Sequence, residues 1–123
     1  MKRYPAYEFP EYVNWQPDPE VQAEFSRCIE HNPDRKALID GLSKAAHLSL
    51  YEGLVSARLH DVQLKRWVKQ GVITKAWLGS GEEAVTVGGC AALDDGDVCG
   101  PMIRNASCLF LRGMSLMECF AGY

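Results

Sequence analysis

The fold is decided by residues 48–71, LSLYEGLVSARLHDVQLKRWVKQG. Apolar side chains recur in this stretch at intervals of three and four residues, which is typical of a helix that buries one face. The predicted buried face consists of Leu48, Tyr51, Val55, Leu59 and Val62. The predicted polar face consists of Ser49, Glu52, Ser56, His60 and Gln63. We expect a helix from about Gly41 to Gln70, with Gly71 in the left-handed conformation that commonly ends a helix.

A second helix is predicted to follow this one. Ser80 and Glu83 have the spacing of a capping box, and apolar residues continue from there to Leu93. Gly88 and Gly89 interrupt the helix. Because glycine costs about 1 kcal/mol in a helix relative to alanine, this pair predicts a close approach to another backbone.

The remainder of the chain predicts one strand and two short helices. Residues 98–103 have the composition of a short strand, with a bend or a sheet edge at Pro101. One helix is predicted over residues 105–112, and another begins at Ser115.

The amino-terminal residues differ from the rest of the chain. Residues 1–34 hold five of the six prolines and several aromatic residues. Proline fixes φ and lacks an amide donor, so we predict an extended arm over residues 1–40 that contains a short helix, Val21–Glu30. The aromatic side chains predict that this arm packs on the body of the protein or on a partner. Residues 41–123 are predicted to be the start of a second, truncated domain.

Composition and charge exclude several classes of protein. With 123 residues, of which 47% are hydrophobic, the chain has the size of about one soluble domain. A net charge of −3 gives no reason to expect nucleic acid as a partner. No apolar run approaches the roughly 18 residues of a membrane span, and we predict a cytoplasmic protein without membrane contact.

Cysteine and histidine form no metal-binding pattern in this sequence. The five cysteines include no C-x-x-C pair, and His31, His47 and His60 are scattered. Since most of the cysteines lie in apolar segments, we predict reduced, buried thiols. No residue is predicted to be catalytic or to bind a metal.

Two glycine motifs match cofactor sites only in part. Residues 79–84, GSGEEA, fit the loose dinucleotide pattern, but they follow no long buried strand. Glu82 and Glu83 would also repel a pyrophosphate, so an ordinary capped helix start is favoured over a nucleotide site. Residues 96–98, GDV, are predicted to be a loop before the strand.

Arg104 is the side chain with the clearest potential to bind a ligand. It follows the predicted strand and lies next to Asn105. Ligands bind at the carboxyl ends of strands in open α/β sheets, and a guanidinium can hold phosphate oxygens through two parallel hydrogen bonds. From this chemistry alone, a functional and a structural role are equally supported.

Six short motifs occur in a recognisable order and spacing. They are Arg58-x-x-Asp61, Lys69-Gln70-Gly71-x-Ile73, Gly81-Glu82-Glu83-Ala84-x-x-x-Gly88, Ala92-Leu93-x-x-x-Asp97, Ile103-Arg104 and Arg112-Gly113-x-Ser115-Leu116. This order, over about residues 45–123, resembles the start of the alpha subunit of the pyruvate and branched-chain 2-oxo acid dehydrogenases.

The resemblance implies a fold, cofactors and partners. The fold class is α/β, the amino-terminal part of a thiamine diphosphate-binding fold, mostly helical here with the first strand of a parallel sheet. The cofactors are thiamine diphosphate and Mg²⁺, with the metal site expected downstream of this sequence. The partners are the beta subunit, usually in a heterotetramer, and a lipoyl-bearing acyltransferase component. The implied activity is decarboxylation of a 2-oxo acid with transfer of the acyl group to the lipoyl group. The chain alone, as an amino-terminal fragment, is expected to be inactive.

The resemblance also assigns binding residues. Arg104 matches the arginine that contacts the cofactor diphosphate, with Ile103 and Asn105 beside it as cofactor-binding residues. Ile103 stands where tyrosine is common in the family, Glu82 where glutamine is usual, and Ala106 where many members have histidine. These departures indicate a divergent branch and leave the identity of the 2-oxo acid open.

Two other functions compete with a dehydrogenase subunit. One is a non-catalytic interaction module derived from the same fold. The other is a nucleotide-binding domain that uses residues 79–84, which predicts stabilisation by nucleotide that is lost when Gly81 is replaced by a bulky residue.

Overall fold

The computed structural model describes residues 18–123, and the chain divides into two compact units between Ser43 and Lys44. The predictions for the aromatic residues at positions 4–15 lie outside the described residues. None of the helices in residues 18–123 combines the length and the apolar character needed to cross a membrane.

Two helices form the described part of the first unit, α1 (Pro19–Glu30) and α2 (Pro33–Gly41). Each begins with a proline, whose missing N–H and fixed φ suit the first helical position. The short helix predicted over Val21–Glu30 is confirmed. The second helix was not predicted, because Pro33 indicated a break in the chain and not the start of a helix.

Side-chain caps explain why both helices start where they do. The Asp18 carboxylate accepts a hydrogen bond from the Glu20 N–H at 2.9 Å, and the Asn32 side-chain oxygen accepts one from the Arg35 N–H at 3.0 Å. Each bond satisfies an amide that has no partner within its helix. The extended backbone predicted for this region is therefore replaced by helix from Pro19 onward.

Residues 44–123 form the second unit, in which a long helix precedes several short elements. The elements are α3 (Lys44–Lys69), α4 (Glu83–Ala91), a 3₁₀ turn (Ile103–Asn105), α5 (Ser107–Leu111) and α6 (Leu116–Phe120). Helix α3 packs against α4 and α5, α4 against α5, and α5 against α6. The apolar core consists of Ala57, Leu64, Val87, Cys90, Cys108 and Cys119.

The carboxyl end of α3 is closed as the sequence predicted. Gly71 has a φ of +72°, in the left-handed region. Its N–H donates to the Val68 carbonyl at 3.1 Å, and the Val72 N–H donates to the Trp67 carbonyl at 2.9 Å. This pair of bonds is a Schellman motif, which satisfies the last carbonyls of a helix. The long helix and its terminating glycine are confirmed.

The face of α3 that packs inward is not the predicted one. Its buried residues are Gly53, Ala57, His60, Asp61 and Leu64. The side chains of Leu48, Tyr51, Val55 and Leu59 are exposed, and Val62 is half-buried. Helix α4 comes close to α3 at Gly53, where a Cβ would lie 2.8 Å from Val87 Cγ1. Small residues thus decide which side is covered. The prediction that His60 lies on the polar face, opposite the buried one, is wrong.

The close backbone approach predicted at Gly88 and Gly89 is also wrong. Both glycines are exposed, and a Cβ built on either would meet no described atom within 4 Å. The glycines that permit close packing are Gly53 in α3 and Gly79 before α4.

The strand predicted over residues 98–103 is absent, and the described residues 18–123 contain no β-strand. The segment is irregular up to Met102 and then enters the 3₁₀ turn. A strand is held by hydrogen bonds to a neighbouring strand, which this part of the chain does not offer, and Pro101 has no N–H to donate. The mostly helical character that was predicted is confirmed, without the first strand of the sheet.

The last predicted helix is present as α6. The Ser115 hydroxyl accepts a hydrogen bond from the Glu118 N–H at 3.2 Å, and Glu118 Oε2 accepts one from the Ser115 N–H at 3.1 Å. These reciprocal bonds are a capping box, which fixes the start of the helix at Ser115.

Candidate functional site

The three residues predicted to bind the cofactor, Ile103, Arg104 and Asn105, form the 3₁₀ turn immediately before α5. The Asn105 N–H donates to the Met102 carbonyl at 2.8 Å and closes the turn. Gly79 lies against the turn, because a Cβ at that position would come within 2.6 Å of the Arg104 carbonyl oxygen. This close approach brings the start of α4 next to Arg104.

Arg104 is engaged by Glu82. Arg104 Nε donates to Glu82 Oε2 at 3.2 Å, and Arg104 Nη2 lies 3.1 Å from Glu82 Oε1. Two guanidinium nitrogens therefore face two oxygens of one carboxylate, the arrangement in which arginine also holds phosphate. The two side chains are 45% and 40% exposed. Water screens such a pair, and its net contribution to stability is about 0–1 kcal/mol.

Asn105 links the same carboxylate to α4. Its Nδ2 donates to Glu82 Oε2 at 3.1 Å and to Thr86 Oγ1 at 3.0 Å. An amide nitrogen carries two hydrogens, so both bonds can form at once. The Thr86 hydroxyl in turn donates to the Glu82 carbonyl at 3.3 Å. Arg104 and Asn105 therefore belong to one hydrogen-bonded network centred on Glu82.

Ile103 does not join this network. It lines an open cavity of about 400 Å³, together with Lys75, Trp77, Leu109 and Tyr123 among others. Arg104 and Asn105 do not line this cavity. The structure thus brings together two of the three predicted binding residues and places the third on a neighbouring surface.

The start of α4 is not held by the predicted capping box. Helix α4 begins at Glu83, and Glu82 occupies the N-cap position without a side-chain cap bond. The Ser80 hydroxyl donates instead to Asp61 Oδ2 on α3 at 3.0 Å. Glu83 forms an ion pair with Arg58, also on α3. The capping-box prediction is wrong because the carboxylate of Asp61 takes the serine hydroxyl.

The two carboxylates at the start of α4 also disfavour a nucleotide at residues 79–84. Glu82 faces Arg104 and Glu83 faces Arg58. A pyrophosphate bound at the N–H groups of this helix end would lie against two negative charges. An ordinary helix start remains the better interpretation of the glycine motif.

His60 and Asp61 form a buried polar pair that the sequence did not reveal. Each residue is 4% exposed, and His60 Nδ1 lies 3.3 Å from Asp61 Oδ1. The imidazole stacks on Phe120, with ring centroids 5.1 Å apart. Burial raises the pKa of the neighbouring Tyr123, and the charge of Asp61 adds to that effect. The helical pattern placed His60 among polar positions, so periodicity alone could not have found this cluster.

The loop predicted at residues 96–98 is confirmed. Gly96 has a φ of +97°, and the Asp97 carboxylate accepts a hydrogen bond from the Asp94 N–H at 2.8 Å. Within residues 18–123, no group of three or more histidine, cysteine, aspartate or glutamate side chains is arranged to hold a metal ion.

Comparison with protein families identifies the chain. The model of the dehydrogenase E1 component family matches residues 51–123, more than half of the sequence. The chain belongs to the dehydrogenase E1 component family. The resemblance drawn from the order of short motifs is therefore confirmed at the level of the E1 family. Comparison with curated proteins and with solved structures gave no match.

The E1 family match covers the whole candidate site. It includes most of α3, all of α4 to α6 and the 3₁₀ turn, whereas α1 and α2 lie outside it. The E1 family is thiamine diphosphate-dependent in general. Glu82 was recognised from the sequence as a departure from the family's usual glutamine, but its partner was not. The opposite charges of Glu82 and Arg104 were the one indication of this ion pair in the sequence. The contact itself becomes evident only in the fold.

Proposed function

We propose that this chain is the alpha-type part of a thiamine diphosphate-dependent 2-oxo acid dehydrogenase, and that Arg104 and Asn105 hold the cofactor diphosphate. The observation that carries the proposal is the pairing of the Arg104 guanidinium with both oxygens of the Glu82 carboxylate. A diphosphate presents oxygen pairs of the same charge sign, so the same two donors can serve it.

The chemistry of the donor set fits an anionic group. Asn105 adds an amide donor at the same oxygen of Glu82. The ion pair is open to solvent on part of its surface, so an anion from solution can reach it. Ile103 has no polar side-chain atom, and we assign to it only apolar contact with the cofactor.

Arg104 and Asn105 bind and orient the cofactor in this proposal, and neither moves a proton. Bound thiamine diphosphate supplies an electron sink for the loss of carbon dioxide from a 2-oxo acid. Glu82 releases Arg104 when the diphosphate arrives, because a carboxylate and a diphosphate repel each other at close range. Glu82 therefore weakens cofactor binding relative to a glutamine at the same position.

Other parts of the reaction are assigned to other groups. We propose that the activating glutamate comes from a beta subunit in a heterotetramer, and that the Mg²⁺ ligands lie outside residues 18–123. The acyl group passes to a lipoyl group on an acyltransferase component. The chain alone is then expected to bind diphosphate weakly and not to decarboxylate 2-oxo acids.

The proposal is tested by following the arginine Nε–Hε NMR signals of the chain during titration with thiamine diphosphate and with thiamine. Thiamine lacks the anion, so the Arg104 signal should respond saturably to thiamine diphosphate alone. R104Q identifies that signal and should remove the response, whereas R35Q, on α2, should leave it intact. An equal response to thiamine, or no response of Arg104, would contradict the proposed role.

A non-catalytic interaction module is the second candidate. It is favoured by the exposed apolar side chains of Leu48, Tyr51, Val55 and Leu59 along α3. Contiguous apolar surface of this kind often marks a binding surface. This candidate predicts that the Arg104 Nε–Hε signal does not change when thiamine diphosphate is added. It also predicts association in solution that a Y51S/L59S variant abolishes.

A further inference from the structure

Three of the five cysteines come together in the second unit. Cys99 Sγ and Cys108 Sγ are 2.8 Å apart, and Cys90 Sγ lies 4.0 Å from the Cys108 carbonyl oxygen. Cys90 belongs to α4 and Cys108 to α5, while Cys99 lies in the irregular segment that precedes the 3₁₀ turn. None of these thiols takes part in the network around Glu82.

Burial explains only part of this cluster. Cys90 and Cys108 are buried, as predicted for thiols that behave as small apolar groups. Cys99 is exposed, and so is Cys28 in α1. The prediction of buried thiols is therefore wrong for these two cysteines. Because Cys99 is exposed, burial of an apolar side chain does not explain its contact with Cys108.

The distance between the two sulfur atoms is close to that in a disulfide. A disulfide bond is about 2.05 Å long, so the two sulfur atoms have to approach by only about 0.8 Å. Cys99 lies in a segment without regular hydrogen bonding, which can supply a movement of that size without disrupting a helix. Cys108 is fixed on α5 in the core, at 3% exposure.

We propose that Cys99 and Cys108 form a reversible disulfide by exchange with a small-molecule disulfide. The Cys99 thiolate attacks one sulfur of the small disulfide, whose S–S bond breaks and releases one small thiolate. The Cys108 thiolate then attacks the Cys99 sulfur, and the second small thiolate leaves. The two protein protons end on the two released thiolates. The protein loses two electrons and the small disulfide gains them.

Accessibility decides the order of the two steps. Cys99 is the attacking thiol because a small disulfide can reach it from solvent, and Cys108 is the resolving thiol because it is buried behind Cys99. The hydrogen bond to Cys108 raises the pKa of Cys99, and burial raises the pKa of Cys108. The charge of Arg112 opposes both effects, while Cys90 raises the pKa of Cys108. Since the thiolate is the nucleophile, exchange should accelerate as the pH rises.

The disulfide would close a loop that contains the 3₁₀ turn. Ile103, Arg104 and Asn105 all lie between Cys99 and Cys108 in the chain. Oxidation would therefore restrain the segment that carries Arg104, whereas reduction would leave Cys99 free to move. The disulfide itself depends only on the cysteine geometry, not on the function proposed above.

The experiment is to incubate the reduced 123-residue chain with oxidised glutathione at pH 8, trap the remaining thiols by alkylation under denaturing conditions, and map peptides by mass spectrometry. The expected product is lighter than the reduced chain by two hydrogen atoms at the cluster, with one peptide linking Cys99 to Cys108. Cys28 is exposed and is the one cysteine of the first unit. It should instead carry glutathione, which serves as an internal control for the reagent.

Variants separate the proposed pair from its neighbours. C99S, at an exposed position, should lose the linked peptide and leave Cys108 free to alkylate once denatured. C90S should retain the Cys99–Cys108 link, and C28S should retain it without the glutathione adduct. Circular dichroism confirms that each variant is folded. A stable glutathione adduct on Cys99 of the wild-type chain, or a link from Cys108 to Cys90, would overturn the proposal.

Discussion

The two faces of α3 differ in composition in the opposite sense to the usual one. Small and polar residues predominate on the packed face, and large apolar residues on the exposed face. The face that packs against α4 and α5 carries Gly53, Ala57, His60, Asp61 and Leu64. The other face carries Leu48, Tyr51, Val55 and Leu59, and Tyr51 is 64% exposed. Periodicity in the sequence therefore identifies an apolar face of a helix, whereas the space available to neighbouring helices decides which face is covered.

The packed face works because its residues are small or have polar partners. Gly53 lets Val87 of α4 come close, and Asp61 accepts the Ser80 hydroxyl. The apolar face remains in contact with solvent. Substitutions on the two faces should therefore differ in their effect on the free energy of unfolding.

The largest effect is expected from L64A. Leu64 is 0% exposed, so truncation removes buried apolar surface and leaves a cavity, at a cost of about 2–5 kcal/mol. Urea unfolding measures this loss. The matched control is L59A on the opposite face, which should change the free energy of unfolding by no more than about 0.5 kcal/mol. Equal losses for the two variants would show that the apolar face is also packed.

Glycine substitutions give the next largest difference. G53A places a Cβ 2.8 Å from Val87 Cγ1, and we expect a net loss of about 1–2 kcal/mol because overpacking outweighs the gain in helix propensity. G88A meets no described atom within 4 Å and should stabilise the protein by about 0.5–1 kcal/mol. The midpoint temperatures of thermal unfolding should therefore shift in opposite directions, downward for G53A and upward for G88A. The same sign for both would refute the close contact at Gly53.

S80A should have a smaller effect on the packed face. It removes the hydrogen bond to Asp61, measured at 3.0 Å, and leaves a buried carboxylate with one donor fewer, which costs about 1 kcal/mol. The control is S56A, at an exposed position of α3. Chemical denaturation should separate the two variants, and indistinguishable midpoints would mean that the Ser80 bond does not contribute.

The smallest effect is a local one on α6, away from the contrast between the faces. Hydrogen bonds from the Ser115 side chain and backbone lower the pKa of Glu118. A carboxyl whose pKa is lowered in the folded state contributes stability above its unfolded pKa, and this contribution is lost as the pH falls through the folded pKa. In S115A the pKa of Glu118 should rise toward its ordinary value, as followed by NMR titration. An unchanged titration would contradict the capping box.

Features with local causes could be predicted from the sequence. The long helix, its end at Gly71 and the helix beginning at Ser115 depend on nearby residues, and each is present. Nearby residues were not sufficient to predict whether residues 98–103 form a strand, because a strand depends on partners elsewhere in the chain. The prediction of which face of α3 packs inward was wrong, because the small residues Gly53 and Ala57 contribute little to a hydrophobic pattern.

The sequence predicted residues of the candidate site but not the contacts between their side chains. The order of motifs led to Arg104 and to the E1 family. The pairing of Arg104 with Glu82 and the contact of Cys99 with Cys108 join residues that are distant in sequence or lack a spacing motif. Such contacts are set by how α4 and α5 pack, which periodicity does not report.

If a diphosphate takes the place of the Glu82 carboxylate at Arg104, calorimetric titration of E82Q with thiamine diphosphate should detect the exchange. Removing the competing charge should tighten binding by about two- to fivefold relative to the wild-type chain, in line with the roughly 0–1 kcal/mol of an exposed ion pair. The accompanying R104Q variant should not bind. Binding that is unchanged or weaker in E82Q, or that persists in R104Q, would show that diphosphate does not displace Glu82 from Arg104.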